Sequence, residues 1–520
     1  MTSQKAPYYI TTAIAYANGN PHLGHAYEAI ITDVMARFKR LDGHDTYFLT
    51  GMDEHGIKVW QTARDKGISP QELCKGITEK FVEQTKTFNI SNDQFIRTTE
   101  PRHHEASQAL WQKLEDNGDI YLDKYAGWYS VRDEAYYDEK ELTLDQATGK
   151  KLSPQGTEVE WVEEESYFFK LSAYEEKLLK LYEENPDFIA PQSRKNEVTS
   201  FVKGGLLDLS ISRTTFDWGV KAPKDPKHVM YVWLDALTNY ITAIGYPDTQ
   251  AEEFQKFWPA NAHVVGKDII RFHCIYWPAF LMAANLPLPK QVFAHGFINV
   301  DGQKMSKSLG NVIAPTDLLE RYGVDQTRYL LMRTISHGDD GNYNHEQATV
   351  RINADLSNAL GNLVQRTLSM IFKNCEGVIP QRENLTQQDK DLLNHAYTIL
   401  GTVRPMADKF QFNRVLEEIW KLVSAANIYV DEQAPWGLKK TDPERMGVVL
   451  SVIAETIRCL GILVLPVMPE SGEKILEQLK VSKDHRQFDC LNEQHALGTD
   501  ISIEKPEGIF PRIVEEEKAA

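Results

Sequence analysis

A chain of 520 residues exceeds what one hydrophobic core usually organises, so two to four domains are expected. Its 42% hydrophobic and 10% aromatic content can fill substantial cores, while a formal charge of −17 excludes nonspecific nucleic-acid binding as the main task, because phosphate contacts need clustered Lys and Arg. Any RNA partner must then meet local basic patches. The five cysteines, Cys74, Cys274, Cys375, Cys459 and Cys490, stand far apart with no Cys-x-x-Cys, which speaks for buried thiols in a reducing compartment rather than a disulfide framework. The first residues form no apolar targeting segment and no stretch reads as long enough to cross a membrane, so a cytoplasmic protein without a membrane partner is expected.

In chain order, residues 8–15 are β-branched and aromatic and predict a buried strand, broken at Asn18-Gly19. Pro21 is placed to open a helix, along which Leu23, Tyr27, Ile30, Val34 and Phe38 recur at helical spacing, with Lys39 and Arg40 at the end where the helix dipole favours cations. Residues 45–50 form a second short strand, ending in Gly51-Met52-Asp53-Glu54-His55-Gly56. Residues 1–118 are thus the first half of an α/β fold. Between 119 and 228 the pattern changes to short, aromatic, turn-rich segments, an insertion that splits that fold. Strands at 261–266 and 291–295, with a helix at 269–285 between them, supply the second half over 229–300. The alternation predicts a doubly wound, Rossmann-type parallel sheet with its ligands at the carboxyl ends of the strands. A loop follows in a connecting region at 301–345. From 346 to 520 apolar stripes (Leu356, Leu360, Leu363, Val364, Leu368; then Val415, Ile419, Leu422, Val423) predict a helical bundle.

Two motifs carry chemistry. Lys304-Met305-Ser306-Lys307-Ser308, between Asp301-Gly302 and Gly310-Asn311, holds two ammonium groups on a loop, an arrangement suited to a triphosphate; the competing reading is a solvated basic loop. His22-Leu23-Gly24-His25 sits at a helix start, where unpaired N–H groups already favour phosphate, and two imidazoles add donors while Gly24 allows close approach of a flat ring. The alternatives are histidines that cap the helix or bind a metal, and acidic or thiolate partners for a metal are missing nearby.

Together, in this order, the two motifs resemble the signatures of class I aminoacyl-tRNA synthetases. Further blocks are similar to the methionyl family within that class: 13–19 (Ala-Ile-Ala-Tyr-Ala-Asn-Gly), 50–56, 231–236 (Tyr-Val-Trp-Leu-Asp-Ala), Gly266-Lys267-Asp268-Ile269 with Phe272-His273, and 431–436 (Asp-Glu-Gln-Ala-Pro-Trp). The resemblance covers nearly the whole chain. It implies activation of L-methionine with ATP, carrying Mg²⁺, to methionyl-adenylate and pyrophosphate, followed by transfer to the terminal ribose of tRNA(Met). His22, His25, Lys304 and Lys307 would be the catalytic groups, with Gly24, Met305, Ser306 and Ser308 beside the nucleotide. A methionine pocket would form from Ile14, Tyr16, Asp53, Trp233, Ala236, Tyr240, Ile269 and His273: Asp53 for the ammonium, Tyr16 and the Ile14 backbone for the thioether, Trp233, Ala236 and Ile269 for an apolar slot, and His273 either orienting Tyr16 or touching the side chain.

Asn362, Arg366 and Trp436, the last expected in a loop between helices, would read the anticodon; without the family block Trp436 reads as core, as Trp420 does. Many relatives carry Cys-x-x-Cys zinc knuckles in the insertion, and 119–228 has no cysteine, so no structural zinc is expected and the knuckle would be held by packing of Trp128, Tyr136 and Trp161. The chain is expected to act as a monomer, with neither DNA nor membrane among its partners. A synthetase for another apolar amino acid and an inactive tRNA-binding paralogue are the alternatives.

Overall fold

The computed structural model describes residues 5–305, 311–336 and 338–514. The run Lys5–Thr12 forms the central strand of a parallel sheet. On one side it pairs with His44–Asp53, which pairs with Gln94–Arg97; on the other it pairs with Ala262–Gly266, then Val292–His295, then Ile189–Ala190. The order reverses between Lys5–Thr12 and Ala262–Gly266, and a ligand crevice is expected at the carboxyl ends of those two strands. The strand at 44–53 runs three residues past its expected end, through Gly51. A Cβ at Gly51 would stand 2.2 Å from the Ile96 carbonyl oxygen, so glycine here serves a close approach of neighbouring strands rather than a turn. The segment at 119–228 also contributes to this sheet, through the edge strand Ile189–Ala190.

Helix Leu23–Leu41 buries Leu23, Tyr27, Ile30, Val34 and Phe38 as its spacing predicts. Pro21 lies outside it, because His22 is the N-cap: its side chain accepts from the Gly24 N–H. The region after Ala262–Gly266 is helical but irregular, with a π-helical turn at Phe272–Tyr276 leading into Trp277–Ala283. Such turns are rare and cluster at functional sites.

The insertion is an antiparallel sheet built on Ile120–Ser130 and Glu160–Phe169, in register from Ile120↔Phe169 to Tyr129↔Glu160. Aromatic packing is one part of its knuckle, and a hydrogen-bonded cluster is another. Trp128 and Trp161 do meet edge-on at 5.3 Å, but Trp161 is half exposed, and Tyr136 packs on Tyr129 and Tyr231 instead. At the centre lies the Asp133 carboxylate, which accepts from Tyr137 (3.0 Å), Ser153 (2.7 Å) and Thr157, while Ser130 and Thr157 share a 2.8 Å bond. Ser130, Ser153 and Thr157 are buried, so each hydroxyl needs these partners. One carboxylate ringed by hydroxyls is a poor donor set for zinc, which takes thiolate and imidazole.

Strands Ile298–Val300, Gln303–Lys304 and Gly341–Tyr343 form a small sheet, with helices Pro315–Tyr322 and Val324–Thr334 lying between the last two strands in the chain. Arg328 docks this region onto both neighbours. Fully buried, it donates to Asp33 (2.6 Å), to the Phe88 carbonyl, and to the carbonyls of Pro466 and Val467. Burial alone would raise the Asp33 pKa, but Arg328 and Arg37 outweigh it and hold the carboxyl below its usual range. Removing one partner of such a pair costs about 3–5 kcal/mol.

The bundle begins with one continuous helical run, His345–Arg351, a π-helical stretch Ile352–Gly361, and Asn362–Asn374. The expected stripes are buried: Leu356, Leu360, Leu363, Val364 and Leu368, and on Phe412–Gln433 Val415, Ile419, Leu422 and Val423. Each such side chain contributes about 1.5–3 kcal/mol by leaving water. Helix Pro443–Val464 corrects the expectation of no membrane-length segment, being long and apolar enough by composition. It is a core helix: 89% of its apolar window is buried, and its Glu455–Arg458 ion pair is buried with it.

Candidate active site

His22 and His25 stand at the N-terminus of Leu23–Leu41, rings stacked at 3.7 Å. Their tautomers follow from the cap. His22 Nδ1 accepts from the Gly24 N–H and His25 Nδ1 accepts from the His22 N–H, so in each ring the hydrogen sits on Nε2. The capping alternative is therefore real and compatible with catalysis, since capping uses Nδ1 and leaves an Nε2–H donor. Gly24 makes room for this arrangement, as a Cβ there would stand 3.0 Å from His22 Cε1. Burial, then the neighbouring His22 and His295, hold the His25 pKa well below its usual value, so His25 is a neutral donor.

Lys304 lies exposed on its short strand, 5.0 Å over the Phe297 ring, and Met305 is partly buried against the core. Ser306, Lys307 and Ser308 lie outside the described residues. Three acidic or basic groups that the sequence reading did not single out share this end. Glu28 accepts from or pairs with His295 at 3.0 Å, and its pKa is raised by burial; His295 is raised because Glu28 overcomes the effect of burial. Asp268 is raised by burial and feels the charges of His295, Lys304 and Lys267. The signals are in the sequence: Asp268 stands in Gly266-Lys267-Asp268-Ile269, and Glu28 shares the His25 face of the helix.

At the other end, register brings together residues distant in sequence. Ala15–Tyr16 pairs with Met52–Asp53, so Tyr16 stands beside Asp53. Asp53 is buried and its pKa is raised well above the carboxylate range by burial, then by the charges of Asp235, Glu134 and Glu54. Its neighbour Asp235 shows the opposite. It accepts from His55 (2.6 Å) and His103 (2.7 Å), and although burial would raise it, the two imidazoles hold it far below its ordinary value. Of two adjacent carboxylates, one is thus secured as an anion and the other, Asp53, is left where a cation would stabilise it most.

The other residues expected around methionine lie on neighbouring elements: Trp233 and Ala236 on helix Val232–Leu237, Tyr240 on Asn239–Thr242, and Ile269 and His273 after Ala262–Gly266, with Ile14, Tyr16, Trp233 and Ile269 partly buried against the core that includes Tyr240. Trp233 stacks on Phe272 at 3.8 Å and meets His273 edge-on at 6.0 Å; Phe272 was absent from the expected pocket. Two expectations are corrected. His273 bonds Tyr240 (2.7 Å), not Tyr16, and its other nitrogen faces the Ile269 carbonyl at 3.0 Å. Burial pushes its pKa down to about 4, so it is neutral, donates to Ile269 and accepts from Tyr240. Tyr16 donates to Glu134 at 2.7 Å instead of waiting with a free hydroxyl.

In the bundle, Asn362 and Arg366 are exposed one turn apart. The Arg366 guanidinium lies 5.5 Å over the Trp436 ring and 3.8 Å from Asp431. Trp436 is not in a loop: Pro435 opens a short helix, Pro435–Thr441, with Trp436 in its first turn. The ring is 51% exposed, which disposes of the core reading; Trp420 is buried against Tyr329 as expected.

A split parallel sheet with two imidazoles at its first helix, a following lysine-bearing hairpin and a helical bundle is the architecture of a class I aminoacyl-tRNA synthetase. A family profile described as "tRNA synthetases class I (M)" matches residues 8–368, and one described as "Anticodon binding domain of methionyl tRNA ligase" matches 379–520. Methionine–tRNA ligases of Brucella suis and Rhizobium meliloti are 60% and 58% identical over 509 residues, covering 98% of this chain and 98% of each relative. The structure of Mycobacterium tuberculosis methionyl-tRNA synthetase in complex with methionyl-adenylate superposes with a TM-score of 0.95 at 51% identity, over 98% of this chain and 100% of that one. The chain belongs to the methionyl-tRNA synthetase family, and its activity is that of a methionine–tRNA ligase.

Proposed function

We propose that methionine binds with its ammonium on Asp53 and its side chain against Trp233, Ala236, Tyr240, Ile269, His273, Ile14 and Tyr16. The observation that carries this is the buried Asp53 carboxylate, raised in pKa and without the two histidines that secure Asp235. The methionine carboxylate attacks the α-phosphorus of ATP, pyrophosphate leaves, and the ribose 2′-hydroxyl of tRNA(Met) then displaces AMP. Mg²⁺ enters on the triphosphate as part of the nucleotide substrate. The protein makes no covalent bond, so rate comes from positioning and from donors aimed at developing charge: the Nε2–H groups of His22 and His25 beside Gly24, and the ammonium groups of Lys304 and Lys307 in the Lys304-Met305-Ser306-Lys307-Ser308 motif. Methionine-dependent exchange of pyrophosphate into ATP tests the reading, and exchange driven equally by another apolar amino acid would overturn it.

Anticodon reading falls to Asn362, Arg366 and Trp436, supported by the exposed Trp436 ring under Arg366. Stacking of a base on an aromatic ring is worth roughly 1–3 kcal/mol, so Trp436→Ala should lower tRNA charging about 5- to 150-fold. Pyrophosphate exchange and the melting temperature should stay near wild type. A variant that charges normally would remove Trp436 from the tRNA interface.

The insertion is proposed to work without zinc, on the Asp133 hydroxyl cluster. Elemental analysis should find no stoichiometric zinc, and chelators should leave the melting curve unmoved; one tightly held zinc per chain would refute this. Five cysteines without a disulfide favour the cytoplasm. A monomer is proposed, and a dimer mass in light scattering that persists on dilution would refute it.

A further inference from the structure

Glu134 belongs to the insertion, on the turn between Ile120–Ser130 and Ala135–Tyr137, yet its carboxylate ends in the methionine pocket. It is buried, and its backbone takes a left-handed conformation (φ +51°) uncommon for a side-chain-bearing residue. Oε1 accepts from the Tyr16 hydroxyl at 2.7 Å and from the Lys58 N–H at 3.2 Å; Oε2 accepts from the Tyr129 hydroxyl. The Tyr231 hydroxyl donates to the Glu134 carbonyl at 2.7 Å. Gly56 faces this junction at φ +104°: a Cβ there would stand 2.5 Å from the Tyr16 hydroxyl oxygen and 3.0 Å from Glu134 Oε1.

A phenol has one hydrogen. While Tyr16 gives it to Glu134, none remains for a thioether, and what Tyr16 offers methionine is a ring fixed at its far end. The turn has two further anchors besides this bond, the hydroxyls of Tyr129 and Tyr231. The Glu134 carboxylate is also close enough to Asp53 to be among the charges that raise it.

We infer that Glu134 is a positioning residue for methionine: an insertion-borne carboxylate that sets the Tyr16 ring, so that the insertion takes part in amino-acid recognition. This rests on the reading of Tyr16 as a pocket residue.

A double-mutant cycle tests it, with Glu134→Ala, Tyr16→Phe and the double variant compared by pyrophosphate exchange, KM for methionine and for ATP, and thermal melting. A hydrogen bond to a charged group supports an expected rise in methionine KM of about tenfold for each single variant. The KM for ATP should hold, and the double variant should be no worse than the more damaging single one, because both remove the same bond. Glu134→Gln, which keeps an acceptor oxygen, should recover most of the affinity. If Tyr16→Phe, which keeps the ring and loses only the bond, binds methionine like wild type, the bond does not set the ring and the inference is overturned; a Tyr16→Ala variant with unchanged methionine KM would instead remove Tyr16 from the pocket. If Tyr16→Phe matters but the losses multiply, or Glu134→Ala lowers melting without moving methionine KM, Glu134 merely pins the insertion and the inference is overturned. Should Glu134→Ala not fold, Glu134→Asp, with its shorter reach toward Tyr16, enters the cycle under the same criteria.

Discussion

Asp53→Asn is expected to raise the methionine KM by about 10²- to 10³-fold while the protein melts at a higher temperature. The first effect follows from removing one partner of a buried charge pair, which costs about 3–5 kcal/mol once the ammonium is bound. The second follows from the direction of the pKa shift. Burial and the charge of Asp235 raise the Asp53 carboxyl above its unfolded value. A carboxyl raised in the fold contributes its full stability below the unfolded pKa and loses it as pH rises through the folded one. At neutral pH the ionised group therefore weakens the free enzyme, and an uncharged amide of the same shape removes that cost. The same shift sets a pH dependence in the wild type: methionine KM should begin to climb, as pH falls, above the ordinary carboxylate range, and this limb should vanish in Asp53→Asn. Exchange kinetics across a pH series, with melting curves at neutral pH, check both. A variant that activates methionine normally would detach Asp53 from the ammonium.

The parts of the fold legible from sequence were those written in periodicity. The stripe of Leu23–Leu41 and the stripes of the bundle are buried as their spacing requires. What escaped depended on contacts that no local pattern records. Gly51 reads as a strand breaker until the Ile96 backbone is seen against it. Ile189–Ala190 is two residues long and joins the parallel sheet only because Val292–Phe293 lies there to receive it. Pro443–Val464 is apolar enough by composition to pass for a membrane span, and what marks it as a core helix is that it is mostly buried and that its Glu455–Arg458 pair is buried and bonded within the bundle.

The site divides in the same way. Family blocks named Tyr16, Asp53, Trp233 and His273; register sets Tyr16 beside Asp53, and a ring contact sets Trp233 against His273. Which hydroxyl meets which nitrogen is a matter of side-chain direction, so the Tyr240–His273 and Tyr16–Glu134 bonds could not be read from spacing. Glu134 lies 118 residues from Tyr16, on a turn of the inserted sheet, and nothing in its neighbourhood of the sequence points to the nucleotide fold. The His55–Asp235–His103 arrangement is likewise assembled from three separate segments, although its effect, leaving Asp53 as the carboxylate in need of a cation, decides the chemistry of the pocket.

His22→Asn should lower the rate of adenylate formation by about 10²–10³ without unfolding the helix it caps, since losing one preorganised donor at developing charge costs that much. The substitution separates two roles that one imidazole performs. Through Nδ1, His22 accepts from the Gly24 N–H and closes the helix; asparagine is among the best N-caps and can take over that bond. Through Nε2–H, the ring reaches outward, and the shorter amide cannot. Methionine KM should change little if, as proposed, the lost donor acts on the phosphate as charge builds in the transition state. His22→Ala should show the same rate loss plus about 1 kcal/mol of destabilisation from the missing cap. Because burial holds His25 neutral, its donor persists as pH rises through the ordinary histidine range, and no loss of rate across about pH 6.5–8 should be traceable to it. Single-turnover adenylate formation, methionine KM and thermal melting of both variants give the answer. If His22→Asn forms adenylate at the wild-type rate with an unchanged melt, His22 is a helix cap alone, and stabilisation of the phosphate falls to His25 and the lysines.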